Sequence, residues 1–195
     1  DVTEGEVLFN DIDVRAYPLS DLYDKIGYVS QKAVLFKGSV RDNINLGLKT
    51  KSTPDDDQVW HSLEIAQGKN FVKELPEQLD DDISQSGTNL SGGQKQRISI
   101  ARAINKKPEI FIFDDSFSAL DYKTDYELRK ALKKETKNVT SFIVAQRIGT
   151  IMEADQIIVL DQGKIVGKGK HKDLLKNCEV YKEIAMSQLT EEELS

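Results

Sequence analysis

Apolar residues recur along this chain with two different periods, and the alternation between them predicts its elements. Residues 6–15 alternate well enough for a strand pair turning at Asn10-Asp11. Pro18 to Lys25 predicts a short helix with Ser20 as its cap, and Ile26-Gly27-Tyr28-Val29-Ser30 a short apolar strand followed by Gln31. Ser39 to Leu46 reads as a helical turn. Pro54 opens a helix carrying Val59, Leu63 and Ala66 on one face, and Gly68 ends it. Phe71, Val72 and Leu75 mark another short helix before Pro76, and Asp80-Asp81-Asp82 a solvated acidic loop.

The second half changes character. Pro108 breaks the chain, and Ile110-Phe111-Ile112-Phe113 is a continuous apolar run, the pattern of a strand buried on both faces of a parallel sheet. Tyr122 to Thr136 is a helix with Leu128 and Leu132 on one side. Ser141-Phe142-Ile143-Val144-Ala145 is a second buried strand, ended by Gln146-Arg147. Gln156–Leu160 and Lys164–Val166 form a hairpin across Asp161-Gln162-Gly163. A helix from Lys172 to Met186 follows, and the Glu191-Glu192-Glu193 tail is expected to be mobile. Strands alternating with helices give an α/β fold with a parallel-sheet core. Residues 33–104 carry helices and little strand signal, which predicts a helical subdomain inserted between core segments 1–32 and 105–195.

Length and composition narrow the class. The chain has 195 residues, 38% hydrophobic and 31% charged, as in an ordinary globular domain. A net charge of −6 argues against a general nucleic-acid footprint. No apolar run approaches the roughly 18 residues of a membrane span, and no signal peptide is visible. The single Cys178 excludes an intrachain disulfide and a multi-cysteine metal site, and fits a reducing compartment. His61 and His171 lack ligand-type neighbours at metal spacing, so surface or capping roles are expected.

Two local features carry chemistry. Leu90-Ser91-Gly92-Gly93-Gln94 leads through Lys95-Gln96-Arg97 into a helix with Ile98, Ala101 and Ile104 apolar. Ser91 stands near its N-cap. The first amides of such a helix have no intrahelical partner, its dipole favours anions, and the glycines allow close approach. Polar residues also follow three strands: Gln31, Asp114 with Asp115, and Gln146. In open parallel sheets ligands bind beyond the carboxyl ends of the strands. Carboxylate and amide oxygens there suit Mg²⁺.

These strings resemble the ATP-binding cassette (ABC) ATPases along the whole chain. Leu90 to Arg97 is similar to the family's signature motif, which binds the γ-phosphate of ATP held by the opposite subunit. The resemblance makes Gln31 the Q-loop residue, a contact to Mg²⁺ and to the transmembrane domain. It makes Ile110 to Asp114 the Walker B strand, with Asp114 the Mg²⁺ aspartate. Ser118-Ala119-Leu120-Asp121 resembles the D-loop at the dimer interface. Val34 to Ile44 is similar to exporter-type cassettes, where it borders the surface that receives a coupling helix. The implied fold is a P-loop NTPase-like α/β core with a helical subdomain. The implied ligands are ATP and Mg²⁺, and the implied location is the cytoplasmic face of a membrane.

Three departures qualify the resemblance. No G-x-x-x-x-G-K-[ST] phosphate loop is present; Gly163 to Gly169 has the wrong spacing and no Ser or Thr. The family places that loop shortly before Thr3-Glu4-Gly5-Glu6, so the sequence reads as truncated ahead of it, without the Walker A strand and loop. Asp115 stands where active members carry a glutamate that polarises water, one methylene short of a base that must come within about 3 Å of its proton. Gln146 stands where the family has its switch histidine; it can hydrogen-bond a phosphate but cannot carry the imidazole's charge. Asp115 and Gln146 together resemble the degenerate half of heterodimeric ABC exporters. Leu90–Gln94 would then serve a homologous partner subunit's site. The alternatives are a non-catalytic nucleotide-sensing regulator and a soluble ABC ATPase acting on DNA or ribosomes.

Overall fold

One helix carries the packing that organises the first half of the chain. Ile98, Ile100, Ala101 and Ala103 are all buried, and they lie on α5 (Gly92–Asn105). This computed structural model describes residues 2–48, 55–137 and 139–190. They divide into two units, Asp1–Phe142 and Ile143–Ser195.

In the first unit β1 (Leu8–Phe9) and β2 (Ile12–Asp13) pair antiparallel. Asn10 and Asp11 form the turn at φ 49° and 61°, left-handed values that these two residue types tolerate better than most. Helix α1 (Leu19–Lys25) follows, with Pro18 at its N-cap and Ser20 inside its first turn. Ser20 is therefore not the cap; proline's fixed φ starts the helix two residues earlier. Strand β3 (Ile26–Val29) leads to β4 (Gly38–Ser39) and α2 (Val40–Asn45), where Ser39 and Asp42 form a reciprocal capping box. Helices α3 (Asp56–Ile65) and α4 (Lys69–Lys73) come next; Asp55 caps α3, and the expected start at Pro54 lies outside the described residues. Strand β5 (Asp82–Ile83) pairs antiparallel with β4, short strands that the helical pattern of residues 33–104 hides.

The acidic stretch is exposed as expected, with an ion pair added: Asp80 and Asp82 stand in solvent. Asp80 accepts from Arg41 Nε at 2.9 Å, and Arg41 also pairs with Asp56, so one guanidinium ties α2 to two distant carboxylates.

After α5 come β6 (Ile110–Asp114), α6 (Tyr122–Glu135) and β7 (Thr140–Val144). The sheet order is β3-β6-β7, and β3 and β6 run parallel with Val29 opposite Phe113. Gly27, Val29, Phe111 and Phe113 bury the face over which α5 packs. The other face is only partly covered: Ile110 and Ile112 are half-buried and Tyr28 is exposed. Strand β7 corrects the expectation of a strand buried on both sides, since Phe142 and Val144 stand largely in solvent. An apolar run records what a strand can bury; burial also needs a covering layer, and no described residue buries these side chains.

The second unit contains α7 (Ile148–Ile151), the hairpin β8 (Ile157–Asp161) and β9 (Lys164–Gly169), then α8 (His171–Asn177) and α9 (Glu179–Met186). The hairpin turns through Gln162 and Gly163, both at positive φ, as its sequence predicts. The single helix expected over Lys172–Met186 is two, interrupted at Cys178 in an extended conformation. Cys178 belongs to the unit's core with Ile157, Val159, Leu174 and Tyr181. His171 is buried rather than superficial, its Nδ1 2.8 Å from the Tyr181 hydroxyl. The apolar partners that enclose it come from distant residues, which local pattern does not reveal. The glutamate tail lies outside the described residues.

Two predictions follow from this packing. A methyl group at Gly27 would sit 2.7 Å from Pro108 Cγ and 3.1 Å from the Phe111 ring. Gly27→Ala is expected to destabilise the first unit by about 1–3 kcal/mol, read as a lower urea midpoint. In the second unit, burial first and Lys172 second push the His171 pKa below its ordinary value. The unfolded chain then takes up the proton first, so this contribution is intact above pH about 6.5 and is lost as pH falls through the folded value. Melting should move down on acidification, and by less in His171→Gln.

Candidate functional site

The first turn of α5 is built by its own sequence. Ser91 Oγ accepts from Gln94 N at 3.3 Å, while Gln94 Oε1 accepts from Ser91 N at 2.9 Å. This capping box satisfies one helix amide and one preceding amide. It occupies a lone pair of the Ser91 hydroxyl and leaves its proton to donate outward. Ser91 and Gly92 are exposed, Gly93 and Gln94 half-buried, and Leu90 is buried beneath them. A methyl group at Gly92 would meet nothing within 4 Å, so an anion could approach the backbone there.

A second loop lies against this turn. Asp121 caps α6, its carboxylate accepting from Thr124 N at 3.0 Å and from Thr124 Oγ1 at 2.6 Å. Those bonds, the hydroxyl's first, hold the Asp121 carboxyl below its usual range. Phe117 and Leu120 are buried, and Ser118 Oγ donates to the Asp115 carbonyl at 2.7 Å. The loop is therefore anchored at both ends. Gly93 faces it: a methyl there would lie 3.4 Å from the Ala119 carbonyl oxygen.

The parallel register of β3 and β6 delivers Gln31 and the aspartate pair to one edge. Gln31 Nε2 donates to Asp115 Oδ2 at 3.0 Å. Asp115 has φ 44°, a left-handed value outside glycine that costs local free energy. The next residue, Ser116, is fully buried, and its hydroxyl has no hydrogen-bond partner among the described residues. Strain and an unmet hydroxyl at successive positions mark this strand end as chemically special. Asp114 is half-buried, and its Oδ2 accepts from the Tyr28 hydroxyl at 3.0 Å. Gln146 is exposed and lies in the second unit, where its carbonyl accepts from Gln188 Nε2 at 2.9 Å.

Sequence reasoning gave no individual role to three residues here, two of them within the Leu90–Arg97 string. Gln96 is 1% exposed and donates from Nε2 to the Ser30 carbonyl at 3.1 Å, joining α5 to the residue before Gln31. Its spacing to Ile100 and Ala103 places it on the buried stripe of α5, and a polar residue there was the available signal. Arg97 donates to Gly93 O and Gln67 O, and its guanidinium lies 4.7 Å from the Phe71 ring centroid. Burial lowers its pKa and nearby Asp121 raises it. Tyr28 is the third.

Comparison with known proteins decides the family. The ABC transporter family matches residues 1–118. The chain belongs to the ABC transporter family. An uncharacterized ABC transporter ATP-binding protein of Mycobacterium bovis is 43% identical over 96% of this chain and 32% of its own length. The multidrug resistance ABC transporter ATP-binding and permease protein of Lactococcus lactis is 33% identical over 96% of this chain and 32% of its own. The solved structure of a bacterial Atm1-family ABC exporter with ATP bound superimposes with a TM-score of 0.91 and 34% identity, covering 98% of this chain and 33% of that one. This ABC domain therefore has the P-loop NTPase-like α/β fold, and the chain spans about a third of the length of these relatives.

The capping box gives Ser91 a measurable structural role. Ser91→Ala is expected to cost about 0.5–2 kcal/mol in denaturant unfolding, and Ser91→Thr to recover most of it.

Proposed function

We propose that this chain is the nucleotide-binding part of an ABC exporter that pairs with a homologous ABC subunit, its own composite site being the degenerate one. The observation that carries the reading is the pairing of an intact signature turn with altered residues at its own strand ends. The outward Ser91 proton and open Gly92 suit a phosphate brought by a partner. Gln31 and Asp114 would hold Mg²⁺, which orients and neutralises phosphate oxygens when bound. The donor set fits: hard amide and carboxylate oxygens, and among the described residues no cluster of three acidic, His or Cys groups that would complete a cage. A site with few carboxylates leaves positions for phosphate and water, as Mg²⁺ requires.

Asp115 and Gln146 occupy the base and switch positions with shortened reach and without imidazole charge. Residues 33–104 form the signature-bearing subdomain of this reading, with 1–32 and 105–195 as the ATPase core. Coupling to a transmembrane domain of the same polypeptide is supported by the Val34–Ile44 segment. Val34 and Phe36 are exposed there, and Phe36 is braced through both backbone atoms by Asn43 at 2.8 Å. Arg102 in turn donates to the Val34 and Asn43 carbonyls at 3.0 and 2.6 Å. A rigidly held apolar edge is suited to an apolar helix.

The test compares two substitutions in the complete heterodimer by steady-state ATPase assay. Ser91→Ala or Gly92→Asp should suppress turnover at the partner's site; a lost phosphate-directed hydrogen bond costs roughly 1.5–3 kcal/mol, about ten- to a hundredfold. Gly92→Asp should cost more, by repulsion, and its Cβ would meet nothing within 4 Å. Asp115→Asn should do far less. Abolition of turnover by Asp115→Asn with Gly92→Asp intact would sink the degenerate-half reading.

A further inference from the structure

The geometry points to Tyr28 as a positioning residue for the metal-binding carboxylate Asp114, an inference that rests on the nucleotide-binding reading above. Tyr28 stands on β3 directly opposite Ile112, on the partly covered face of the sheet. Tyr28 is 55% exposed among the described residues. Its hydroxyl nevertheless reaches across to β6 and donates to Asp114 Oδ2 at 3.0 Å.

A carboxylate at a strand end rotates about its last bond unless something fixes it. One donor on Oδ2 fixes that rotation and leaves Oδ1 free to bind a cation. The arrangement is repeated next door, where Gln31 from beyond the same strand holds Asp115 Oδ2. Two successive carboxylates, the last residue of β6 and the one after it, thus each accept from a neutral donor on the β3 side. A neutral donor suits the task, because a lysine or arginine in its place would compete with the cation for the same charge.

Such outer partners of metal ligands typically govern affinity by about ten- to a hundredfold. The experiment titrates Mn²⁺, as a paramagnetic probe for Mg²⁺, into the complete ATP-loaded transporter and reads bound metal by electron paramagnetic resonance. Tyr28→Phe keeps the ring and removes only the hydroxyl. It should weaken Mn²⁺ binding about tenfold at the site containing Asp114 and leave the partner's site and the melting temperature unmoved. Tyr23→Phe, an exposed tyrosine on α1, should change nothing. Wild-type Mn²⁺ affinity in Tyr28→Phe, or equal weakening at both sites, overturns the inference while leaving the function intact. Failure of the wild-type protein to bind Mn²⁺ with ATP overturns both.

Discussion

The burial of helix α5 is the constraint on which the first unit depends. Its apolar residues cover the β3–β6 face, and its polar ones perform the joining. Gln96 reaches Ser30, just past β3, Arg97 reaches the α3–α4 junction, and Arg102 reaches the segment around Asn43. Each of these bonds ends on a backbone carbonyl, and Arg102 adds one to the Asn43 side-chain oxygen. Carbonyls accept without adding charge, so a partly buried guanidinium such as Arg102 keeps its cation at the cost of desolvation, which lowers its pKa. The helix that presents the signature turn to solvent is therefore also the member to which the surrounding segments are attached.

The strand-end chemistry follows from a different rule. Parallel pairing with Val29 opposite Phe113 places consecutive polar residues of two strands at one edge. There Asp115 is left-handed, and the Ser116 hydroxyl is enclosed without a partner among the described residues. Both raise the free energy of the local structure, and the well-packed Phe113 and Phe117 around them hold it in place.

What was legible in the sequence was whatever local pattern determines. The Asn10-Asp11 turn, α5 with its capping serine, the β6 run with its aspartates and the β8–β9 hairpin each depend on neighbouring residues and stand where the pattern places them. The departures involve long-range partners. Asp80 pairs with an arginine 39 positions away, the buried His171 lies against Tyr181, and Phe142 and Val144 of β7 are left more than half exposed among the described residues. Ser20 was misread because a serine near a helix start resembles a cap even when proline already sets it. Motif resemblance singles out Gln31, Asp114 and Leu90–Gln94. The hydrogen bonds of Tyr28 to Asp114 and of Gln96 to the Ser30 carbonyl were not visible, because each spans more than 60 residues of sequence.

The closeness of Gly93 to the Ala119 carbonyl has a steric consequence. A methyl group at position 93 would lie 3.4 Å from that oxygen, at ordinary van der Waals distance, so the glycine leaves a gap of about one methyl group between the two loops. That gap is clearance for the first turn of α5 and the Ser118–Asp121 loop to shift against one another, and any side chain at position 93 would fill it.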